Sequence, residues 1–123
     1  MTVEKIEKYK GETYMVVIDR VKKVFLHRDI INRFGLAEGS EITNEQLTQV
    51  LMASELRRAS RRAMYLINER DYSYIQLFEK LSANYSEDIC YKVTDMMAKK
   101  GFINDRRYAQ EVVYTYMELS LIH

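Results

Sequence analysis

The segment from Met96 to Gln110, MMAKKGFINDRRYAQ, most strongly limits the folds open to this chain. It has the pattern of one helix ending and the next beginning within a few residues. Lys99 and Lys100 place cations in a last helical turn, where they face exposed carbonyls, and Gly101 suits the left-handed residue that follows. Asn104 then has the chemistry of an N-cap. The segment therefore predicts a tight corner between two helices.

The residues around this corner fit known helix-end contacts. Phe102 is placed to fold back on Met97, as in a Schellman-type stop. Asp105 supplies a negative charge in the first turn of the next helix. Ile103 and Tyr108 have the N′ and N4 spacing of a hydrophobic staple. Both sides of the corner are thus specified locally.

The composition excludes several classes of protein. The chain has 123 residues and no proline, so nothing interrupts its helices from inside. No apolar run approaches the roughly 20 residues that span a bilayer, and the start lacks the apolar region of a secretory signal. One cysteine, Cys90, excludes an internal disulfide, and we expect a cytoplasmic protein. The net charge of +1 means that any nucleic-acid binding depends on local clusters.

The first 42 residues carry strand patterns. β-Branched and aromatic residues predict strands from Val3 to Tyr9, from Thr13 to Ile18 and from Val24 to Leu26. The turn residues between them predict a small antiparallel meander, and lone hairpins are marginal in water, so it needs a helix to pack on. A short helix is predicted from Asp29 to Phe34.

The remainder is helical. Thr43 and Gln46 form a predicted capping box, and a second helical stretch runs from Glu55 to Arg70, although the sequence does not settle whether the helix breaks near Ser54. Further helices begin at Ser73, which has a box partner in Gln76, at Ser86, and at Asp105, the last running towards Leu121. Their predicted inward residues include Tyr74, Leu77, Phe78, Leu81, Ile89, Val93, Met96 and Met97.

We therefore predict a mainly α protein, a three-helix-module bundle with a small N-terminal antiparallel β meander. The predicted domains are a β-rich segment with a short helix, 1–42, and a helical region, 43–123. The helical region comprises a bundle of three short-looped helices, about 54–101, and a further helix, 104–121.

The sequence LRRASRR carries the sharpest candidate site. Four arginines, Arg57, Arg58, Arg61 and Arg62, form two rows at helical spacing, opposite the small residue Ala59. Guanidinium groups bind phosphates or carboxylates in bidentate fashion, which suits a partner surface. The alternative is a solvated helix face paired with Glu residues of the same helix. Like charges at this spacing repel, so the sequence leaves both interpretations open.

Other basic and aromatic residues are weaker candidates. Lys99 and Lys100 are explained by the helix end, whereas Arg106 and Arg107 lie in a first turn, where the helix dipole disfavours cations. Three tyrosines near the arginine helix could stack on bases or side chains, or could equally be rim residues of the core. They are Tyr65, Tyr72 and Tyr74, of which Tyr72 is the predicted binding residue.

Catalytic and metal sites are not expected. Cys90 has no histidine nearby in sequence, and His27 and His123 with one cysteine make no zinc spacing. With four glycines there is no glycine-rich phosphate loop. We therefore expect no enzyme activity, no metal and no cofactor.

The run GFINDRRYA, from Gly101 to Ala109, resembles the module junction of the RecX family, regulators of the RecA recombinase. The resemblance extends upstream through RRAMYLINERDYSYIQLFEKL, and through YKGETYMVVID and FLHRDIINRFGLAEGSEIT near the N-terminus. It implies a non-enzymatic regulator that binds the RecA filament on single-stranded DNA and restrains recombinase activity in DNA repair and the SOS response. A helical nucleic-acid-binding module acting without RecA is the alternative, whereas a purely structural adaptor would leave the arginine rows unexplained.

The family has tandem three-helix modules, and the resemblance implies that 54–101 is a first module and 104–121 the opening helix of a second. That helix carries the apolar residues Val112, Val113 and Tyr116, which lack the partners of a complete module. We therefore expect possible self-association through the last helix.

Overall fold

The structure, a computed structural model, describes residues 1–103. The predictions for the last helix concern residues outside this range. They comprise the Asn104 cap, the positions of Arg106 and Arg107, the Ile103–Tyr108 staple and the Val112–Tyr116 face. These stay predictions.

Three antiparallel strands form the predicted meander in the order β1-β2-β3: β1 (Val3–Lys10), β2 (Thr13–Ile18) and β3 (Lys22–His27). The β2–β3 turn places both Asp19 and Arg20 at positive φ, 51° and 67°, as a type I′ turn requires. The Asp19 carboxylate accepts a hydrogen bond from the Thr2 amide at 2.8 Å, which holds this turn against the start of β1.

One face of the sheet packs on the core of the first part of the chain. Helix α1 (Arg28–Arg33) follows β3 directly, and the His27 side chain caps it by accepting a hydrogen bond from the Asp29 amide at 3.0 Å. The buried apolar residues of this core come from the sheet, α1 and the residues that follow. They are Val3, Val16, Ile18, Leu26, Ile30, Ile31, Ile42, Leu47 and Val50.

Helix α2 (Asn44–Glu69) is continuous through Ser54, which resolves the question that the sequence left open. Its predicted capping box is present, because the Gln46 amide donates to Thr43 Oγ1 at 3.0 Å and the Thr43 amide donates to Gln46 Oε1 at 2.8 Å. Ile42 and Leu47, which have the N′ and N4 spacing of a hydrophobic staple, are both buried.

Helices α3 (Tyr74–Ser82) and α4 (Glu87–Lys99) complete a three-helix module with the second half of α2. Ser73 and Gln76 form the predicted capping box of α3. The module core is built from small residues of α2 and larger apolar residues of α3 and α4, and Phe78 and Met96 are only partly buried at its margin. Its buried members include Ala59, Ala63, Leu66, Leu77, Leu81, Ile89, Val93 and Met97.

The predicted stop of α4 is confirmed. Gly101 has φ +78°, the Phe102 amide donates to the Met97 carbonyl at 2.9 Å, and the Gly101 amide donates to the Ala98 carbonyl at 3.1 Å. These are the two hydrogen bonds of a Schellman motif. The Phe102 side chain nevertheless remains exposed.

The start of α4 differs from the prediction. Ser86 occupies the N-cap position, but its side chain makes no capping hydrogen bond. Instead, Glu55 Oε1 on α2 accepts a hydrogen bond from the Ser86 amide at 2.7 Å. A carboxylate from another helix therefore satisfies this amide at the start of α4.

The predicted fold class is confirmed: the chain is mainly α with a small N-terminal antiparallel sheet. Its internal contacts group residues 1–54 into one compact unit and the described residues from 55 onwards into a second, so the two units divide within α2. The predicted domain boundary between residues 42 and 43 stays a prediction. Within residues 1–103, no helix is both long and apolar enough to span a membrane.

Candidate partner surface on helix α2

The arginine rows lie on the side of α2 that faces away from the module core. Ala59 is fully buried, which fixes the rotation of the helix. Arg58, Arg61 and Arg62 are consequently exposed, and Arg57 is half-buried. The sequence thus predicted the direction of these side chains correctly.

Three of the four arginines have no acidic partner in the part of the chain that the structure describes. Within residues 1–103, no carboxylate forms an ion pair with Arg57, Arg61 or Arg62. Glu55 is instead engaged at the start of α4. The Arg62 guanidinium carbon lies 5.1 Å from the centre of the Tyr65 ring, which holds an exposed aromatic side chain beside the arginines. The surface therefore presents unneutralised cations.

A groove beside Arg61 extends this surface and was not predicted from the sequence. It has a volume of ≈ 430 Å³ and combines two cationic side chains with apolar ones. The residues that line it are Ser60, Arg61, Met64, Met96, Met97, Lys100 and Phe102. Methionine side chains adapt to varied apolar surfaces. The groove could thus accept an apolar side chain from an acidic partner segment.

A second groove, of ≈ 460 Å³, lies along the outer side of α4 and is lined by Lys92, Asp95, Met96, Lys99 and Lys100. Asp95 is not a free carboxylate, because its Oδ1 accepts a hydrogen bond from the Tyr74 hydroxyl at 2.7 Å. Met96 and Lys100 line both grooves, so basic and apolar side chains continue from α2 to the end of α4.

The geometry disfavours Tyr72 as a stacking residue. Its side chain is only 6% exposed, and the Arg70 guanidinium carbon lies 3.9 Å from the centre of its ring. Tyr74 is also buried. Among the three candidate tyrosines, Tyr65 is the one that presents its ring to solvent.

Cys90 is a core residue. Its thiol is buried and donates a weak hydrogen bond to the Tyr85 carbonyl at 3.6 Å. Burial raises the pKa of the Cys90 thiol, and the negative charges of Glu55 and Glu87 raise it further. A thiol held in its neutral form is a poor nucleophile and a poor metal ligand. In the described part of the chain, no three potential metal-binding side chains lie close enough to hold an ion.

Comparisons with known proteins identify relatives over nearly the whole chain. The chain is 28% identical over 120 residues to the regulatory protein RecX of Clostridioides difficile, covering 96% of this chain and 57% of the relative. It is 28% identical over 114 residues to RecX of Streptococcus sanguinis, covering 92% of this chain and 44% of the relative. The chain therefore spans about half the length of the curated relatives that it matches.

A solved structure shows the same fold. The crystal structure of a regulatory protein RecX superposes with a TM-score of 0.61 at 19% identity, covering 95% of this chain and 59% of that structure. No family model matches the chain. The similarity to RecX that the sequence indicated is thus confirmed by relatives and by fold.

Proposed function

We propose that this chain, a relative of the RecX proteins, is a non-enzymatic regulator that binds the RecA filament on single-stranded DNA. In this role it restrains recombinase activity in DNA repair and the SOS response. The observation that carries the proposal is the similarity to regulatory proteins named RecX over 96% and 92% of the chain. RecA as the partner is an inference from that family.

The surface that we assign to the filament is formed by Arg57, Arg58, Arg61 and Arg62 with the adjoining methionine groove. Guanidinium groups form bidentate hydrogen bonds with carboxylates or phosphates, and the groove offers apolar surface beside them. Such a combination suits an acidic protein surface that also contributes apolar contacts. Arg106 and Arg107 are proposed as a second basic set.

A nucleic-acid-binding module that acts without RecA remains the second candidate, since Arg57, Arg61 and Arg62 carry no ion pair with a carboxylate of residues 1–103. The two functions differ in their response to salt. Phosphate contacts release counterions, so DNA binding weakens steeply as salt rises. A partner that also buries apolar surface should bind with a shallower salt dependence.

The arginine surface is tested by the double variant Arg57→Glu/Arg61→Glu. We expect its affinity for RecA on single-stranded DNA to fall at least about tenfold, because charge-assisted hydrogen bonds are each worth about 1.5–3 kcal/mol. Its thermal midpoint should change little, since Arg61 is exposed and Arg57 is half-buried at the helix surface, and surface substitutions usually alter stability by less than about 0.5 kcal/mol.

The matched control is Arg33→Glu/Lys80→Glu, which makes the same change in net charge at exposed positions on α1 and α3. It should bind like the parent if the arginine surface itself makes the contact. If both variants lose the same affinity for RecA on single-stranded DNA, the loss is caused by the change in net charge. Equal binding by Arg57→Glu/Arg61→Glu and the parent would reduce the arginine rows to a solvated face.

A further inference from the structure

The outward face of the N-terminal sheet has an organised surface that the core does not require. Strand pairing aligns its residues into rows across the three strands. One row is Lys5, Val17 and Lys23, and the next is Glu7, Met15 and Phe25. Val16, Ile18 and Leu26 point the other way and are buried. The outward face therefore has an apolar centre on β2 with lysines on both outer strands.

Two exposed aromatic rings meet on this face. Tyr9 is 65% exposed and Phe25 is 47% exposed, and their ring centres lie 4.7 Å apart at an angle of 59°. They belong to β1 and β3, the two outer strands, so the pair reaches over β2. Tyr9 lies at a register irregularity between Lys8 and Lys10. Large aromatic rings left in solvent as a pair mark an interaction surface.

The charges around the aromatic pair favour an anionic ligand. The nearby carboxylates are already matched: Glu7 pairs with Lys5 at 2.6 Å, and Glu12 lies 3.2 Å from His27 and 3.3 Å from Arg28. The hydrogen bond and the negative charge of Glu7 raise the pKa of Lys5.

Four further lysines on the outer strands are exposed and form no ion pair within residues 1–103. They are Lys8, Lys10, Lys22 and Lys23. The outer strands thus carry more cations than carboxylates. Lys23 shares the outward face with Phe25, and Lys10 adjoins Tyr9, whereas Lys8 and Lys22 align with Tyr14 and Ile18 on the other face.

A ligand reaches this surface through the face of the sheet rather than through the β1 edge. The Ile6 amide on that edge donates to Glu38 Oε1 at 3.0 Å. Nearby, the Val3 amide donates to the Ser40 carbonyl at 2.8 Å, and the Val3 carbonyl accepts a hydrogen bond from the Gly39 amide at 2.7 Å. The first half of β1 is therefore closed to the addition of a partner strand.

We propose that this face binds single-stranded nucleic acid, with bases stacking on Tyr9 and Phe25 and phosphates contacting the surrounding lysines. Aromatic side chains on a cationic surface are the common elements of single-strand binding without sequence preference. Stacking is worth about 1–3 kcal/mol per base, so two rings give weak binding that depends on the presence of bases. The site adds a direct DNA contact to the proposed function but is tested without RecA.

The test measures fluorescence anisotropy of a labelled oligothymidylate and of an abasic oligonucleotide of the same length, with the full chain at low salt. The two probes carry the same phosphates, so their difference isolates stacking from contacts of the arginines with the backbone. We expect the parent to bind the oligothymidylate at least about tenfold more tightly than the abasic oligonucleotide. Equal affinity for both probes would overturn the proposal.

Tyr9→Leu/Phe25→Leu keeps apolar side chains but removes both rings, and should abolish the preference for the base-containing probe. Tyr9→Phe/Phe25→Tyr should retain it, and Val21→Ser, in the turn after β2, should also retain it. Circular dichroism checks that each variant is folded. Lys23→Gln should lower the salt slope by about 0.7, the value for one single-strand phosphate contact.

Other occupants give different results, each of which contradicts the proposal. If the leucine variant binds the oligothymidylate as the parent does but loses affinity for RecA, the face docks a protein. If sedimentation shows a dimer in the parent and a monomer in the leucine variant with DNA binding unchanged, the face joins two copies. Failure of Arg57→Glu/Arg61→Glu to weaken RecA binding would leave this site unaffected, since the base preference is measured without RecA.

Discussion

The capping of α4 by Glu55 gives a sharp test of how the three-helix module is held together. Glu55→Ala removes the acceptor that lies 2.7 Å from the Ser86 amide. A hydrogen bond to a charged group contributes about 1.5–3 kcal/mol, and a carboxylate near a helix N-terminus adds about 0.3–1 kcal/mol. This contact is solvent-exposed, which weakens both contributions. We therefore expect a net loss of about 1–2 kcal/mol of unfolding free energy.

The conservative variant separates the hydrogen bond from the charge. Glu55→Gln keeps an oxygen acceptor but carries no negative charge. This variant should therefore lose about 0.5 kcal/mol of unfolding free energy, within the range for a charge near a helix end. Urea denaturation followed by far-UV circular dichroism measures both values, and a change in midpoint at constant m reports stability.

Glu69, the exposed last residue of α2, supplies the matched control. Glu69→Ala and Glu69→Gln remove a carboxylate from the same helix near its C-terminus, where negative charge is unfavourable, so stability should stay constant or rise slightly. If Glu55→Ala and Glu69→Ala have the same midpoint, the capping role of Glu55 is refuted.

Two further predictions concern α3 and the core thiol. Ser73→Ala removes one half of a complete capping box at a buried position and should cost about 1–2 kcal/mol, whereas Ser86→Ala should cost less than about 0.5 kcal/mol because no side-chain cap is lost; equal costs in urea denaturation would contradict this contrast. Cys90 should react with a thiol reagent at pH 8 far more slowly in the native protein than in denaturant, because burial raises its pKa and blocks access. Equal rates in the two conditions would show that the thiol is accessible.

Local sequence patterns predicted much of the fold because their determinants lie within a few residues of one another. The Thr43–Gln46 and Ser73–Gln76 boxes and the left-handed Gly101 each form among close neighbours, and all three are present. The continuity of α2 through Ser54 was harder to predict, because no proline or glycine lies near that position to indicate a helix end.

Contacts between distant residues could not be predicted in the same way. Glu55 lies 31 residues from Ser86, and only the packing of α2 beside α4 brings its carboxylate to that amide. Tyr72 was predicted as a stacking residue from its proximity in sequence, but its burial depends on the module core. The rows on the sheet face depend on strand register, which the separate strand patterns did not define.

The candidate arginine surface was predictable because burial of Ala59 fixes one helix face and leaves the opposite face to the arginines. The methionine groove beside it was not predictable, since its residues come from α2, α4 and the segment after α4. The identity of the partner rests on the similarity to RecX and requires a direct measurement.

That measurement is the binding of this chain to single-stranded DNA with and without RecA, at low and at moderate salt. The proposed function predicts weak binding to naked DNA and a clear gain when RecA covers the DNA, with a shallower salt dependence in the presence of RecA. Tight binding to naked DNA that weakens steeply with salt and does not change when RecA is added would contradict it.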